Sequence, residues 1–158
     1  MSRTLATAIA ALPGTAAHAE EPVSRGAYLA RIMDCGGCHT PGAMAGKPNE
    51  VMHLAGADVG FGVPGLGVFY PPNLTPDRET GLGEWSEEEI VRAVRTGQRP
   101  DGRELVVMPW RSYAALTDED AAALAAYLKS LPPKANQVPP PTGAEGKAPA
   151  PYLAVVVP

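Results

Sequence analysis

The chain has 158 residues and a net charge of −4, a length for one domain rather than two. It holds 17 Gly and 18 Pro, about 22% together against roughly 12% in average usage. That excludes a regular helix bundle or a large sheet, because Gly weakens element interiors and Pro removes a backbone donor. Two cysteines exclude a disulfide-rich scaffold. A mildly acidic chain with no basic stripe gives no support for nucleic-acid binding, and none is expected.

Residues 1–19 read as a secretory signal. Arg3 supplies the positive start, Thr4 to Leu12 the apolar run, and Ala17-His18-Ala19 the small-x-small cleavage site. The run is too short to span a bilayer. Cleavage after Ala19 leaves a domain over residues 20–133 and a Pro-rich C-terminal extension over residues 134–158. No later apolar run approaches 18 residues. The expectation is therefore a periplasmic protein without a membrane anchor.

The first helix is expected over Ser24–Asp34, with Ser24 as its cap and Ala27, Tyr28, Leu29 and Ile32 as its apolar residues. Its end delivers Cys35-Gly36-Gly37-Cys38-His39, the C-x-x-C-H pattern of c-type haem attachment. Two thiols at this spacing add across the two vinyl groups of one haem. The loop between them must be small, and the adjacent imidazole of His39 then lies under the iron. Competing uses are weaker. A redox C-x-x-C would need a βαβ surrounding, and a zinc site would need Cys35, Cys38, His39 and His53 together. A disulfide between Cys35 and Cys38 leaves His39 unexplained.

Residues Thr40 to Trp85 hold nine Gly and six Pro. Such a loop can pack on a porphyrin instead of on other chain, and a short hairpin fits near Phe61–Tyr70. The next helix is expected over Ser86–Thr96. Ser86 and Glu89 form a capping box, Ile90, Ala93 and Val94 an apolar stripe, and Gly97 the stop. Trp85, just before the cap, can staple onto Ile90.

The sixth iron ligand has four candidates: Met44, Met52, His53 and Met108. Met44 and Met52 lie close to the attachment motif and would need a very tight wrap. His53 would give a bis-His site of lower potential. Met108 lies between two helical segments, and Pro109 keeps it out of both. It is the favoured ligand, raising the potential and closing the iron to small molecules.

The last helix is expected over Asp118–Ser130, capped by Thr117 with Asp120 at the third position. Leu124, Tyr127, Leu128 and Leu131 form its stripe. Gly26 and Tyr28 of the first helix offer a notch and a knob against it. Residues 132–158 hold eight Pro and end in an apolar run. They read as an extended strap wrapped on the surface, with that run buried.

Together these residues resemble the class I cytochromes c. More narrowly they resemble bacterial periplasmic monohaem cytochromes related to the cytochrome c subunits of alcohol and gluconate dehydrogenases. The residues that carry the resemblance are Cys35–His39, Pro72-Asn73-Leu74-Thr75-Pro76-Asp77, Gly81-Leu82-Gly83, Trp85-Ser86, Gly97, Pro100–Arg103, Met108-Pro109-Trp110 and Leu116–Asp120.

The resemblance implies an all-α cytochrome c fold with crossing N- and C-terminal helices. It implies one covalent haem c, with His39 and Met108 on the iron. It also implies a Pro carbonyl on the His39 ring, from Pro72 or Pro71, and places Asn73, Trp110 and Arg103 near the haem propionates or ring edge. Related dehydrogenase subunits carry three such motifs and an anchor. This chain has one motif, so a free electron shuttle is expected. A periplasmic dehydrogenase would be its donor and a terminal oxidase or membrane complex its acceptor. The acidic balance predicts a basic partner patch or an apolar docking rim. The alternatives are a small haem subunit of an oxidoreductase acting on a small substrate and a haem-based gas sensor. Both need an open iron, which Met108 opposes.

Overall fold

The structure is a computed structural model that describes residues 21–156. The signal reading of residues 1–19 lies outside them. Five helices form: α1 Pro22–Ile32, α2 Cys35–His39, α3 Glu87–Thr96, α4 Trp110–Tyr113 and α5 Asp118–Ser130. Three short strands, β1 Gly60–Val63, β2 Gly67–Phe69 and β3 Tyr152–Leu153, make one sheet in the order β2-β1-β3.

That sheet overturns the all-α expectation: about 36% of the described residues are helical, short 3₁₀ turns included. β1 and β2 form an antiparallel hairpin that pairs Phe61 with Phe69, and β3 joins β1 in parallel. The hairpin rests on a local turn, with Gly65 at φ 76°, where only Gly is unstrained. The third strand comes from the strap, far along the chain, and no local pattern announces it.

The helical core follows the expected stripes more closely. Ser86 and Glu89 make the reciprocal capping box of α3, and Gly97 ends it at φ 72°. The Thr117 side chain accepts from the Asp120 N–H at the start of α5. α1 begins at Pro22, not Ser24, because Pro suits the first turn, whose N–H groups lack helical partners.

Leu29, Ala30, Leu54, Leu82, Ile90, Val94, Leu124, Ala125 and Leu128 form one buried cluster, with Trp85 packed on it. α1 reaches α5 through Gly26: a Cβ there would collide with the Ala123 carbonyl and the Tyr127 side chain. The notch is therefore where it was expected, but the knob is not. Gly26, Leu29 and Ala30 are the buried residues of α1. Tyr28 and Ile32 fall outside this i, i+3, i+4 face and are exposed.

The strap does wrap the surface. Thr142 N–H bonds the Val68 carbonyl at 2.9 Å, and Tyr70 OH donates to the Ala150 carbonyl at 2.7 Å. Its apolar end is not buried: Val155 is 78% and Val156 85% exposed. These residues follow the last paired residue of β3, Leu153.

Candidate metal centre

α1 ends at Met33, and Asp34 turns the chain in the left-handed region, φ 54° and ψ 39°. The next five residues, Cys35–His39, coil into the single turn α2. Both glycines of this turn are packed by protein. A Cβ at Gly37 would strike the Asp34 carboxylate, and one at Gly36 would press on the His53 ring. Cys35 and Cys38 are not joined in a disulfide.

Burial pushes the Cys35 thiol up to about 11, with the Asp34 and Cys38 charges adding to the effect and a backbone hydrogen bond opposing it. Cys38 is raised by burial and by Asp34.

His39 Nδ1 lies 2.8 Å from the Pro72 carbonyl oxygen. Burial lowers the imidazole pKa, and this bond partly opposes the shift. The ring is therefore neutral near pH 7. Its proton sits on Nδ1, donated to Pro72, and the Nε2 lone pair is left for a metal. Pro71 is not the partner, because its carbonyl accepts the Ala57 N–H at 3.0 Å.

The Pro72 turn is built from buried polar side chains. Asn73 is 1% exposed. Its amide donates to Thr80 Oγ1 and the Lys134 carbonyl, and its Oδ1 accepts from Thr75 N–H and hydroxyl. The hydrogen-bonding sites of the Asn73 side chain are thus filled from within the protein.

Met108 lies half-buried just before α4 and packs on the helical core cluster, as do Met33, Cys35, Leu74, Trp85 and Tyr113. The Trp110 N–H bonds its carbonyl at 2.8 Å, and Tyr113 OH donates to the Met33 carbonyl at 3.0 Å. This ties α4 to the end of α1. Met44 and Met52 sit in short 3₁₀ turns on the loop after α2. His53 stands against Gly36 of the attachment turn, and it lines a cleft of about 310 Å³ with Val51 and Leu131. Arg103 is held by Asp101 at 2.7 Å, and Trp110 lies under the Arg111 guanidinium at 4.3 Å.

Some residues have no signal in the sequence. Lys129 Nζ donates to the Leu82, Gly83 and Trp85 carbonyls at 3.2, 3.1 and 2.8 Å. It stitches α5 to the turn before α3. Thr40 Oγ1 accepts the Leu54 N–H at 3.1 Å, and Leu54 takes φ 60°. A Lys in a last helical turn and a Thr after a motif are too common to single out.

Two cysteines on one turn, followed by an imidazole that donates from Nδ1 and so keeps its Nε2 lone pair for a metal, fit a covalent haem. Among the described residues, no group of three or more His, Cys, Asp and Glu gathers as a zinc site would require.

Residues 21–128 match the family described as cytochrome c oxidase, cbb3-type, subunit III. The chain belongs to this cytochrome c family. It carries haem c with its iron, and its class of chemistry is haem-based electron transfer.

Similar proteins include the fructose dehydrogenase cytochrome subunit of Gluconobacter japonicus, 39% identical over 117 residues. The cytochrome c subunit of the quinone alcohol dehydrogenase of Gluconobacter oxydans is 36% identical over 117 residues. The gluconate 2-dehydrogenase cytochrome c subunit of Pantoea cypripedii is 42% identical over 106 residues. These matches cover 72%, 71% and 66% of this chain, but only 22%, 23% and 22% of the relatives.

Proposed function

We propose that this chain is a periplasmic electron carrier whose haem c is held by thioether bonds to Cys35 and Cys38, with His39 and Met108 as the axial ligands. A dehydrogenase of the class its relatives serve is the donor, and a terminal oxidase or membrane complex of the respiratory chain is the acceptor. The observation that carries this reading is His39 on the same turn as Cys35 and Cys38, with its Nδ1 held by the Pro72 carbonyl of a distant loop. It presents one nitrogen to a metal and anchors the other.

Bound haem supplies a one-electron iron couple. The protein's residues set the conditions for it. The Pro72 carbonyl fixes the His39 tautomer and ring orientation. Met108 offers a soft thioether that favours the reduced iron and closes the sixth position. The helical core beside Cys35 and Met108 excludes water. Among the described residues no helix is long and apolar enough to cross a membrane. With a net charge of −4, the surface suits a basic patch or an apolar rim on the partner, in small and short-lived encounters.

The test is the alkaline pyridine spectrum and intact mass of protein matured with haem, beside Cys35→Ser and Cys38→Ser. Wild type is expected to show two saturated vinyl groups and the mass of one haem. Each single variant should shift the band as one vinyl group is restored. A wild type with free thiols would overturn the attachment reading. Reduction by a purified quinone alcohol or sugar dehydrogenase tests the donor.

A further inference from the structure

The strap after α5 grips the two loops that hold His39. His39 is fixed at two points. Its Nδ1 meets the Pro72 carbonyl at 2.8 Å, and its own carbonyl accepts the Gly56 N–H at 2.8 Å. The first contact belongs to the loop of Pro71 to Leu74, the second to the loop of Ala55 to Ala57.

Both loops are bound by strap residues 134–138. The Lys134 carbonyl accepts from Asn73 Nδ2 at 2.7 Å, and its N–H donates to Thr75 Oγ1 at 3.1 Å. Asn136 donates its N–H to Thr80 Oγ1 at 3.0 Å and its side-chain amide to the Ala55 carbonyl at 2.7 Å. Val138 fills the space beside Gly56, so that a Cβ at Gly56 would run into its side chain and lie 3.3 Å from the Pro72 carbonyl carbon. Asn73 and Ala55 are fully buried, so water cannot replace these bonds without opening the loops.

We propose that residues 134–138 are a positioning strap for the haem-binding histidine, and that Asn136 is its principal positioning residue. The inference rests on the reading of His39 as the proximal ligand. The Nδ1–H···O=C bond makes an iron-bound imidazole a stronger donor and favours oxidised iron. Loosening the strap lets the Pro72 carbonyl drift from Nδ1. The imidazole then donates less, and the reduction potential rises.

The experiment compares wild-type holoprotein with Asn136→Ala and with Gln137→Ala, an exposed neighbour on the same strap. Readouts are the midpoint potential, the iron-shifted ring-proton resonances of the proximal histidine, and the melting temperature. At the wild-type midpoint, Asn136→Ala is expected to move the reduced-to-oxidised ratio about threefold toward reduced, less than the tenfold or more typical of losing a direct ligand partner. Its histidine resonances should move as well. Gln137→Ala should change neither.

If Asn136→Ala lowers only the melting temperature, the strap is merely structural and the inference fails. Should that variant not accumulate, Val138→Ala gives a milder loosening with the same expected direction, and an unchanged potential there is equally fatal. A wild type that lacks iron-shifted histidine resonances overturns the ligand reading itself, whatever the variants do.

Discussion

Gly26 of α1 stands directly against the Ala123 carbonyl of α5, leaving no room for a Cβ between the two helices. The contact brings α1, which leads into the Cys35–His39 turn, down onto the longest helix of the fold. Both obstructing groups, a backbone carbonyl and the Tyr127 Cβ, are rigidly placed. Gly26→Ala should therefore force the helices apart and cost about 2–3 kcal/mol, as overpacking does. Thermal melting of the holoprotein should show a drop on the order of 5–10 °C. A melting point equal to wild type would show that α1 can slide freely on α5.

Lys129 ties two parts of the fold together through its charged end. Its ammonium donates to three carbonyls of the turn that precedes α3. Lys129→Met keeps the stem but leaves those carbonyls without their charged donor, at a cost of about 2–3 kcal/mol. Urea unfolding should register the loss as a lower midpoint with an unchanged slope.

The Arg25–Asp120 pair predicts a pH dependence. The Arg25 guanidinium, 2.8 Å from Asp120 Oδ1, holds that carboxyl below its ordinary value. The unfolded chain therefore takes up a proton at Asp120 at a higher pH than the folded one. The pair's stabilisation is complete above the ordinary carboxylate pKa of about 3.9 and is lost as pH falls through the lower native value. Asp120→Asn should melt below wild type at pH 7, with the gap closing on acidification past about pH 4. A gap independent of pH would show that the ion pair is not its source.

Met108 is the residue on which closure of the iron depends under the proposed reading. Oxidised wild type should show the weak far-red band of a thioether–iron bond, and Met108→Ala should lack it. The reduced variant should bind carbon monoxide, whereas reduced wild type should not. A wild type that lacks the band and binds the gas would remove Met108 from the iron and reopen the enzyme and sensor readings.

The parts legible in advance are those set by near neighbours. The Ser86–Glu89 box, the Thr117 cap and the Gly97 stop each involve residues within a few positions, and all three stand as read. The Cys35–His39 spacing is equally local. The apolar face of α1 is not legible in this way, because Ile32 is as hydrophobic as Leu29 and Tyr28 carries a large apolar ring. Only the approach of α5 at Gly26 decides which of them is covered. The apolar C-terminal run is exposed for a similar reason: hydrophobicity alone does not supply a surface to bury against.

By itself the sequence determined that this chain carries the haem-attachment motif, where α3 and α5 begin, and that its Gly- and Pro-rich segments must lean on something other than regular structure. These are consequences of spacing and backbone chemistry over a few residues. Only the tertiary structure decided that Pro72 rather than Pro71 meets His39, 33 positions away, and that the strap supplies both a third strand and the clamp on the histidine's loops. Each of those contacts exists because a long loop closes on itself and a distant segment fills the space left over. That is a matter of where whole segments meet, which no local pattern encodes.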